Sequence, residues 1–286
     1  MKSFVKETFQ DTYLFTIPDF SRSGLVKHGF SCRLGGVSKG EFSSLNLAFH
    51  VGDDPAHVIS NRKKIVHLLD SKIESLVASE QVHDHQVFVV EKSVQGRGSD
   101  SCATAIPGTD ALITNIPGIM LSSYYADCVP LFFLDLEHQV IALAHAGWRG
   151  TVLNIGVKTL EKMAETFWTR PEHCLIGIGP AIGSCCFQVD QKVLNTFVST
   201  FDFCQQFTQP LGQGKWAIDL PGINHHLLIK KGVLPEHITQ SRLCTSCNTD
   251  LFFSYRKEQG RTGRQAALIM LNEERIGDDE TFSTKI

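Results

Sequence analysis

Val140-Ile141-Ala142-Leu143-Ala144, running into His145-Ala146-Gly147-Trp148-Arg149-Gly150, decides how the chain is read. The first five residues are apolar without alternation, which predicts a strand buried on both faces. Such a strand needs packed layers above and below it, so the stretch implies an α/β domain. Gly147-Trp148-Arg149-Gly150 breaks the run, and Thr151 is placed to cap a helix reaching about Trp168.

Working outward, Ile119 to Tyr125 and Leu131-Phe132-Phe133-Leu134 read as strands, as does Ala111-Leu112-Ile113-Thr114 before the Pro117-Gly118 turn. Leu76-Val77-Ala78 and Val87-Phe88-Val89-Val90 flank Gln81-Val82-His83-Asp84-His85, which places His83 at the tip of a hairpin-like segment. Asp53-Asp54-Pro55 and Asp219-Leu220-Pro221 each open a helix, the second stopping near Gly232, and Arg264 to Leu271 forms a closing strand. There is no repeat, low-complexity tract or long linker; the densest loop signal, residues 95–100, is too short to divide the chain. The organisation expected is an N-terminal segment over 1–24, a single catalytic domain over 25–271, and a polar tail over 272–286 that frays.

Composition narrows the function classes. The 286 residues carry 27 Lys and Arg against 30 Asp and Glu, a net charge of −3 with neutral His. That balance lacks the basic surplus that duplex DNA or an anionic membrane requires, so no nucleic acid and no membrane partner is expected. Apolar residues at 42% exclude a disordered chain, and no apolar run reaches the ~18 residues of a membrane helix. MKSFVKETFQDTYLF has no apolar export core, so a cytoplasmic location with nine reduced thiols is expected.

The chemistry-bearing side chains gather where strand patterns end in loops. These are Cys128 in Ala126-Asp127-Cys128-Val129-Pro130, His145 at the close of the buried run, and His83. His, Cys and His would give a Zn²⁺ three protein ligands and one open position, the pattern of a catalytic site. Each also has an ordinary alternative: Cys as a small buried hydrophobe and His as a hydrogen-bonded strand end. Cys244-Thr245-Ser246-Cys247 is a C-x₂-C with no second pair after it, and is read as two packed thiols, as is Cys185-Cys186. His225-His226 cannot share a helix face. Gly177-Ile178-Gly179-Pro180 lacks a dinucleotide fingerprint and is read as pocket wall, and His50 as a rim or structural residue.

Taken in order, the segments resemble one family. Residues 30–38 (FSCRLGGVS), Ser44-Leu45-Asn46-Leu47, and Val51-Gly52-Asp53-Asp54-Pro55 with Asn61-Arg62 match its N-terminal motifs. Gln81-Val82-His83, Ala126-Asp127-Cys128-Val129-Pro130 and His145-Ala146-Gly147-Trp148-Arg149-Gly150 match its three core motifs. Residues 178–183, 244–247, 252–256 and 262–264 complete the set. This is similar to the laccase-domain family, also called polyphenol oxidase and purine nucleoside phosphorylase. The likeness covers roughly residues 25–271. One departure is Asp84, followed by His85, where members usually carry Gly.

The resemblance implies an α/β (α+β) layered single domain with mixed β-sheets and outer helices, of a CNF-like cysteine-hydrolase type. It implies a Zn²⁺ held by His83, Cys128 and His145. It also implies phosphorolysis of adenosine, inosine, guanosine and methylthioadenosine, with inorganic phosphate as co-substrate, and hydrolytic deamination of adenosine. Arg33 and Arg149 are candidates to grip phosphate with paired bonds, and Asn46 to bind a base or ribose hydroxyl. Copper fits poorly: a multicopper oxidase needs many His-X-His pairs, and this chain has only His83-Asp84-His85. Two rival readings are a metal-free cysteine hydrolase or transferase with Cys128 as nucleophile and His145 as base, and a non-enzymatic module with a structural zinc.

Overall fold

Strands and helices are numbered in chain order; the computed structural model describes residues 2–273. One six-stranded sheet contains, from edge to edge, β1 (Val5–Phe9), β2 (Thr12–Thr16), β3 (Val26–Ser31), β15 (Gln265–Leu271), β7 (Met120–Tyr125) and β4 (Leu76–Ala78). A second contains β14 (Ile238–Gln240), β10 (Cys174–Ile178), β8 (Val129–Asp135), β9 (Val140–Ala146), β6 (Ala111–Thr114) and β5 (Val87–Val89). A small third sheet joins β11 (Gln188–Asp190), β13 (Lys215–Ile218) and β12 (Thr208–Gly212). The first two sheets are mixed: β4–β7, β5–β6 and β10–β14 run parallel and the other pairs antiparallel.

The period-two geometry of β9 explains the layering. Ile141 and Leu143 point into a core shared with Leu121, Tyr125, Phe30 and Ile269 of the other sheet. Val140, Ala142 and Ala144 point the opposite way, onto Ile155, Leu160 and Met163 of α4 (Ile155–Phe167) and Leu228 of α6 (Leu220–Lys230). The outer face of the first sheet (Met120, Leu268, Met270) is covered by Ile65 and Val66 of α2 (Pro55–His67). The result is four layers, helix–sheet–sheet–helix. The burial on both faces predicted for 140–144 is observed, and it extends through Ala146.

Helix starts follow their caps. Asp54 accepts the Ala56 N–H with Pro55 in the first turn, and Asp219 accepts the Gly222 N–H at 3.0 Å. Two expectations change. Thr151 lies inside a short helix, α3 (Trp148–Val152), that begins one residue after Gly147. Asn154 then takes a left-handed φ of 61° and the chain restarts as α4, because Asn tolerates that conformation where most residues do not. The 76–90 region is not a hairpin: β4 and β5 belong to different sheets, so residues 81–85 cross between them. Residues of the 1–24 segment form the edge strand β1, its neighbour β2 and a short α1 (Pro18–Ser23), with Phe15, Ile17 and Phe20 buried between the sheets. Most of the expected fraying tail, from 274 on, lies outside the described residues. Among the described residues no helix is long and apolar enough to cross a membrane.

Candidate active site

Two chain crossings between the sheets meet at one end of the sandwich. The first is 81–85; the second is Ala126-Asp127-Cys128, which links β7 to β8. The end of β9 brings His145 to the same place. The donor atoms of His83, Cys128 and His145 all lie within 4.8 Å of one another. His145 is buried, Cys128 half-buried and His83 exposed, so the cluster is anchored on one side and open on the other.

The local chemistry holds each donor in turn. Gln81 pairs its side-chain amide with both the N–H (2.8 Å) and the carbonyl (2.9 Å) of Tyr124, extending β7 by one side chain. The next three backbone N–H groups, from Val82, His83 and Asp84, donate to the Asp110 carboxylate. His83 itself carries the left-handed φ of 61°, and Asp84 is not among the residues of positive φ. Asp110 also lies 2.8 Å from His145 Nδ1. A carboxylate accepting three N–H groups is an acceptor to His145 as well, so Nδ1 carries the proton and Nε2 faces Cys128 and His83. Asp127 does for Cys128 what Asp110 does for the histidines. Its carboxylate accepts Thr245 Oγ1 and the Arg256 N–H, both at 2.7 Å, and its carbonyl accepts the Ile182 N–H.

Gly147 completes the cradle. A Cβ there would meet His83 Nδ1 at 2.8 Å and Cys128 Sγ at 3.0 Å, so the space beside the donors exists only because residue 147 has no side chain. Burial opposes charge on both Cys128 and His145. The positive charge and hydrogen bond of His145, with a further bond from His83, nevertheless draw the thiol well below its usual range. The Cys128 charge and Asp110 likewise raise His145 against its burial. A thiolate flanked by two imidazoles, one backed by a carboxylate, is a set of donors that suits a borderline-soft divalent cation.

The cluster opens on a cavity of about 460 Å³. Tyr124, Trp148, Phe187 and Tyr255 supply aromatic surface, while His50, Arg256 and Arg264 supply polar groups. Arg264 Nη1 donates to the carbonyls of Thr262 and Gly263, which aims its guanidinium along the wall. A neighbouring cavity of about 390 Å³ shares His50, Gln81 and Tyr124.

His50, read from the sequence as a rim or structural residue, lies in that lining, whereas Arg33, Asn46 and Arg149 lie outside it. Arg33 bonds Glu258, Ser43 and Thr249, and Glu258 in turn accepts the Ser254 N–H and the Thr262 hydroxyl. Arg33 thus braces the loop that carries Tyr255, Arg256 and Arg264. Asn46 is fully buried with all its bonds made: it accepts the N–H groups of Ala48 and Arg264 and donates to Ala48 and Asp53. Arg149 is exposed, its guanidinium over the Trp148 ring. Gly177 and Gly179 make close packing contacts with Ile17 and Pro130, and Ile182 rather than residues 177–180 reaches the cavity. The His226 ring lies 4.1 Å from that of Phe203, tilted by 41°. Asp110 and Arg264 were not picked out from the sequence as site residues. Asp110 immediately precedes the apolar strand β6, the kind of strand-end position that flagged His145.

Comparison with known proteins bears on this arrangement directly. The family model described as "Multi-copper polyphenol oxidoreductase laccase" matches residues 27–272. The chain belongs to this family. Among curated laccase-family relatives, "Purine nucleoside phosphorylase YlmD" of Geobacillus stearothermophilus is 40% identical over 250 residues, 86% of this chain and 90% of the relative. "Adenosine deaminase RL5", from an unknown prokaryotic organism, is 32% identical over 248 residues, 86% and 92% of the two chains. The crystal structure of the G. stearothermophilus YlmD superposes with a TM-score of 0.90 at 36% identity, covering 96% of this chain and all of that one. That of a Bacillus licheniformis hypothetical protein, YfiH, gives 0.88 at 34%, covering 92% and 97%. The expected layered α/β domain with mixed sheets and outer helices is the one observed.

Proposed function

We propose that this chain is a zinc-dependent purine nucleoside enzyme. It would phosphorolyse adenosine, inosine, guanosine and methylthioadenosine to base and (methylthio)ribose 1-phosphate, and hydrolytically deaminate adenosine. The observation that carries this reading is the convergence of His83, Cys128 and His145 on the wall of one aromatic, cation-lined cavity. The names of the relatives at 32–40% identity support it.

His83, Cys128 and His145 would hold the ion. When bound, Zn²⁺ supplies Lewis acidity that makes a water nucleophilic near neutral pH. The protein's own groups do the rest. Asp110 keeps the proton on His145 Nδ1 so that Nε2 remains a donor. Tyr124, Phe187 and Tyr255 offer faces on which a purine can stack, and a cavity of this size suits a nucleoside. Arg264, with Arg256 beside it in the cavity lining, would bind phosphate. In phosphorolysis a phosphate oxygen bonds to that carbon as its bond to the base breaks, and the base leaves with the electron pair and takes up a proton. Arg33 and Asn46 act from behind, fixing the loop and backbone of Arg264.

A second reading draws support from the hydrogen-bonded sequence Cys128–His145–Asp110, which is also the layout of a metal-free cysteine nucleophile with an oriented base. Turnover of nucleosides with and without phosphate, before and after chelation, separates the two. Loss on chelation and recovery with Zn²⁺ supports the lead reading; activity that survives chelation supports the second.

A further inference from the structure

Away from the cavity-facing donors, four more thiols meet. Cys185 and Cys186 lie between β10 and β11, and Cys244 and Cys247 between β14 and β15. Their sulfurs all lie within 4.8 Å of one another. The C-x₂-C read as two packed thiols does have a second pair: it precedes the motif in sequence instead of following it.

We propose that these four cysteines form a second metal site, a closed structural one that takes Zn²⁺. Cys247 Sγ lies 3.5 Å from Cys185 Sγ and 3.4 Å from Cys186 Sγ. Four thiolates about 2.3 Å from a tetrahedral ion stand about 3.8 Å apart, so the observed spacing is close to that of a loaded site. A disulfide requires about 2.05 Å and joins sulfurs only in pairs, whereas Cys247 here approaches two partners equally. The surroundings suit thiolates: the Gly183 N–H donates to Cys244 Sγ at 3.3 Å. A Cβ at Gly183 would press on Cys185 Sγ at 3.3 Å, so that position leaves the sulfurs room. The Asn248 side chain and backbone both donate to the Cys244 carbonyl, closing the turn that presents Cys244 and Cys247 on one side.

The placement gives the site a purpose. The loops it would clamp are those that build one wall of the cavity. Ile182 and Phe187 bracket Cys185 and Cys186, and Thr245, between the other pair, bonds Asp127 beside Cys128. Arg256 donates to the Cys186 carbonyl. Four protein ligands leave no open position, so this ion would hold structure and take no substrate.

The wild-type zinc count rests also on the proposed His83, Cys128 and His145 centre; the readouts on the His83→Ala/Cys128→Ala variant do not. The full chain, purified anaerobically under reductant, is assayed for zinc by mass spectrometry of the metal, beside a His83→Ala/Cys128→Ala variant and a Cys185→Ser/Cys247→Ser variant. Two zinc per wild-type chain and one in each variant is the expected result. X-ray absorption of the His83→Ala/Cys128→Ala protein should show only sulfur neighbours at about 2.3 Å. Zinc that vanishes from that variant, or nitrogen in its coordination shell, would overturn the proposal. So would disulfides among the four cysteines of the reduced wild-type protein. These readouts stand even if the serine variant fails to fold.

Discussion

Asp110 Oδ1 stands 2.8 Å from His145 Nδ1 while the same carboxylate collects the N–H groups of Val82, His83 and Asp84. One side chain therefore positions two of the three donors, His145 through its ring and His83 through its backbone. Asp110→Asn would turn an amide NH₂ either toward the His145 ring and the His83 N–H or toward the Val82 and Asp84 N–H groups, so one pair of donors loses its acceptor. Zinc affinity or kcat/KM is expected to fall about 10–100-fold, read by metal titration and steady-state kinetics. Unchanged values in both would remove Asp110 from the site.

Gly147 tests the cradle without touching a donor. Its φ of −64° suits any residue, so Gly147→Ala brings no backbone strain, but its Cβ would crowd His83 Nδ1 and Cys128 Sγ. Activity should drop by about 10²-fold with a melting temperature close to wild type, since a displacement near 1 Å at a reacting centre has that effect. A fully active variant would show that the donors need not approach as closely as they do here.

Arg264 is assigned to phosphate. Arg264→Ala should raise the phosphate KM by tenfold or more, on the scale of about 1.5–3 kcal/mol for a charged hydrogen bond, and spare adenosine deamination. Arg149→Ala should leave the phosphate KM unchanged because that side chain is outside the cavity. Parallel losses of phosphorolysis and deamination in Arg264→Ala would instead indicate a general collapse of the loop.

His28 on β3 sets a pH dependence of stability. Burial, only partly offset by its contact with Ile17, lowers its pKa to about 4; its Nε2 accepts the Ile17 N–H at 2.7 Å and is therefore unprotonated. The unfolded chain protonates this residue near 6.5, so between those values it binds more protons than the folded chain does. The contribution is complete above pH 6.5 and is lost as pH falls toward 4, by about 3 kcal/mol in all. Denaturant midpoints at pH 7 and pH 4.5 should therefore differ less in His28→Gln, which keeps an acceptor for Ile17 but cannot titrate. An identical pH slope in the variant would contradict this.

What the sequence made legible follows from what is local. The unbroken apolar character of 140–144 specified a strand buried on both faces, and Asp54-Pro55 and Asp219-Leu220-Pro221 marked the starts of α2 and α6. His83, Cys128 and His145 could be gathered only through the order of motifs around them, since 45- and 17-residue separations carry no geometry. The partners that make the site work were hidden for the same reason. Asp110 reaches His145 because β6 and β9 are neighbours, and Arg264 reaches the cavity because β15 pairs with β7. The apparent hairpin at 76–90 failed because parallel pairing sends β4 and β5 to different sheets, a choice made by long-range burial. The four-cysteine group was missed because its halves lie on loops that only the bridge between Ala181 and Cys244 brings together.

The most direct test of the account is zinc binding and nucleoside turnover measured together on wild type and Cys128→Ala. Wild type should bind zinc at the His83, Cys128 and His145 centre and convert adenosine with phosphate to adenine and ribose 1-phosphate, while Cys128→Ala should lose one equivalent of metal and the turnover together. Full turnover by Cys128→Ala, or by wild type stripped of metal, would contradict it.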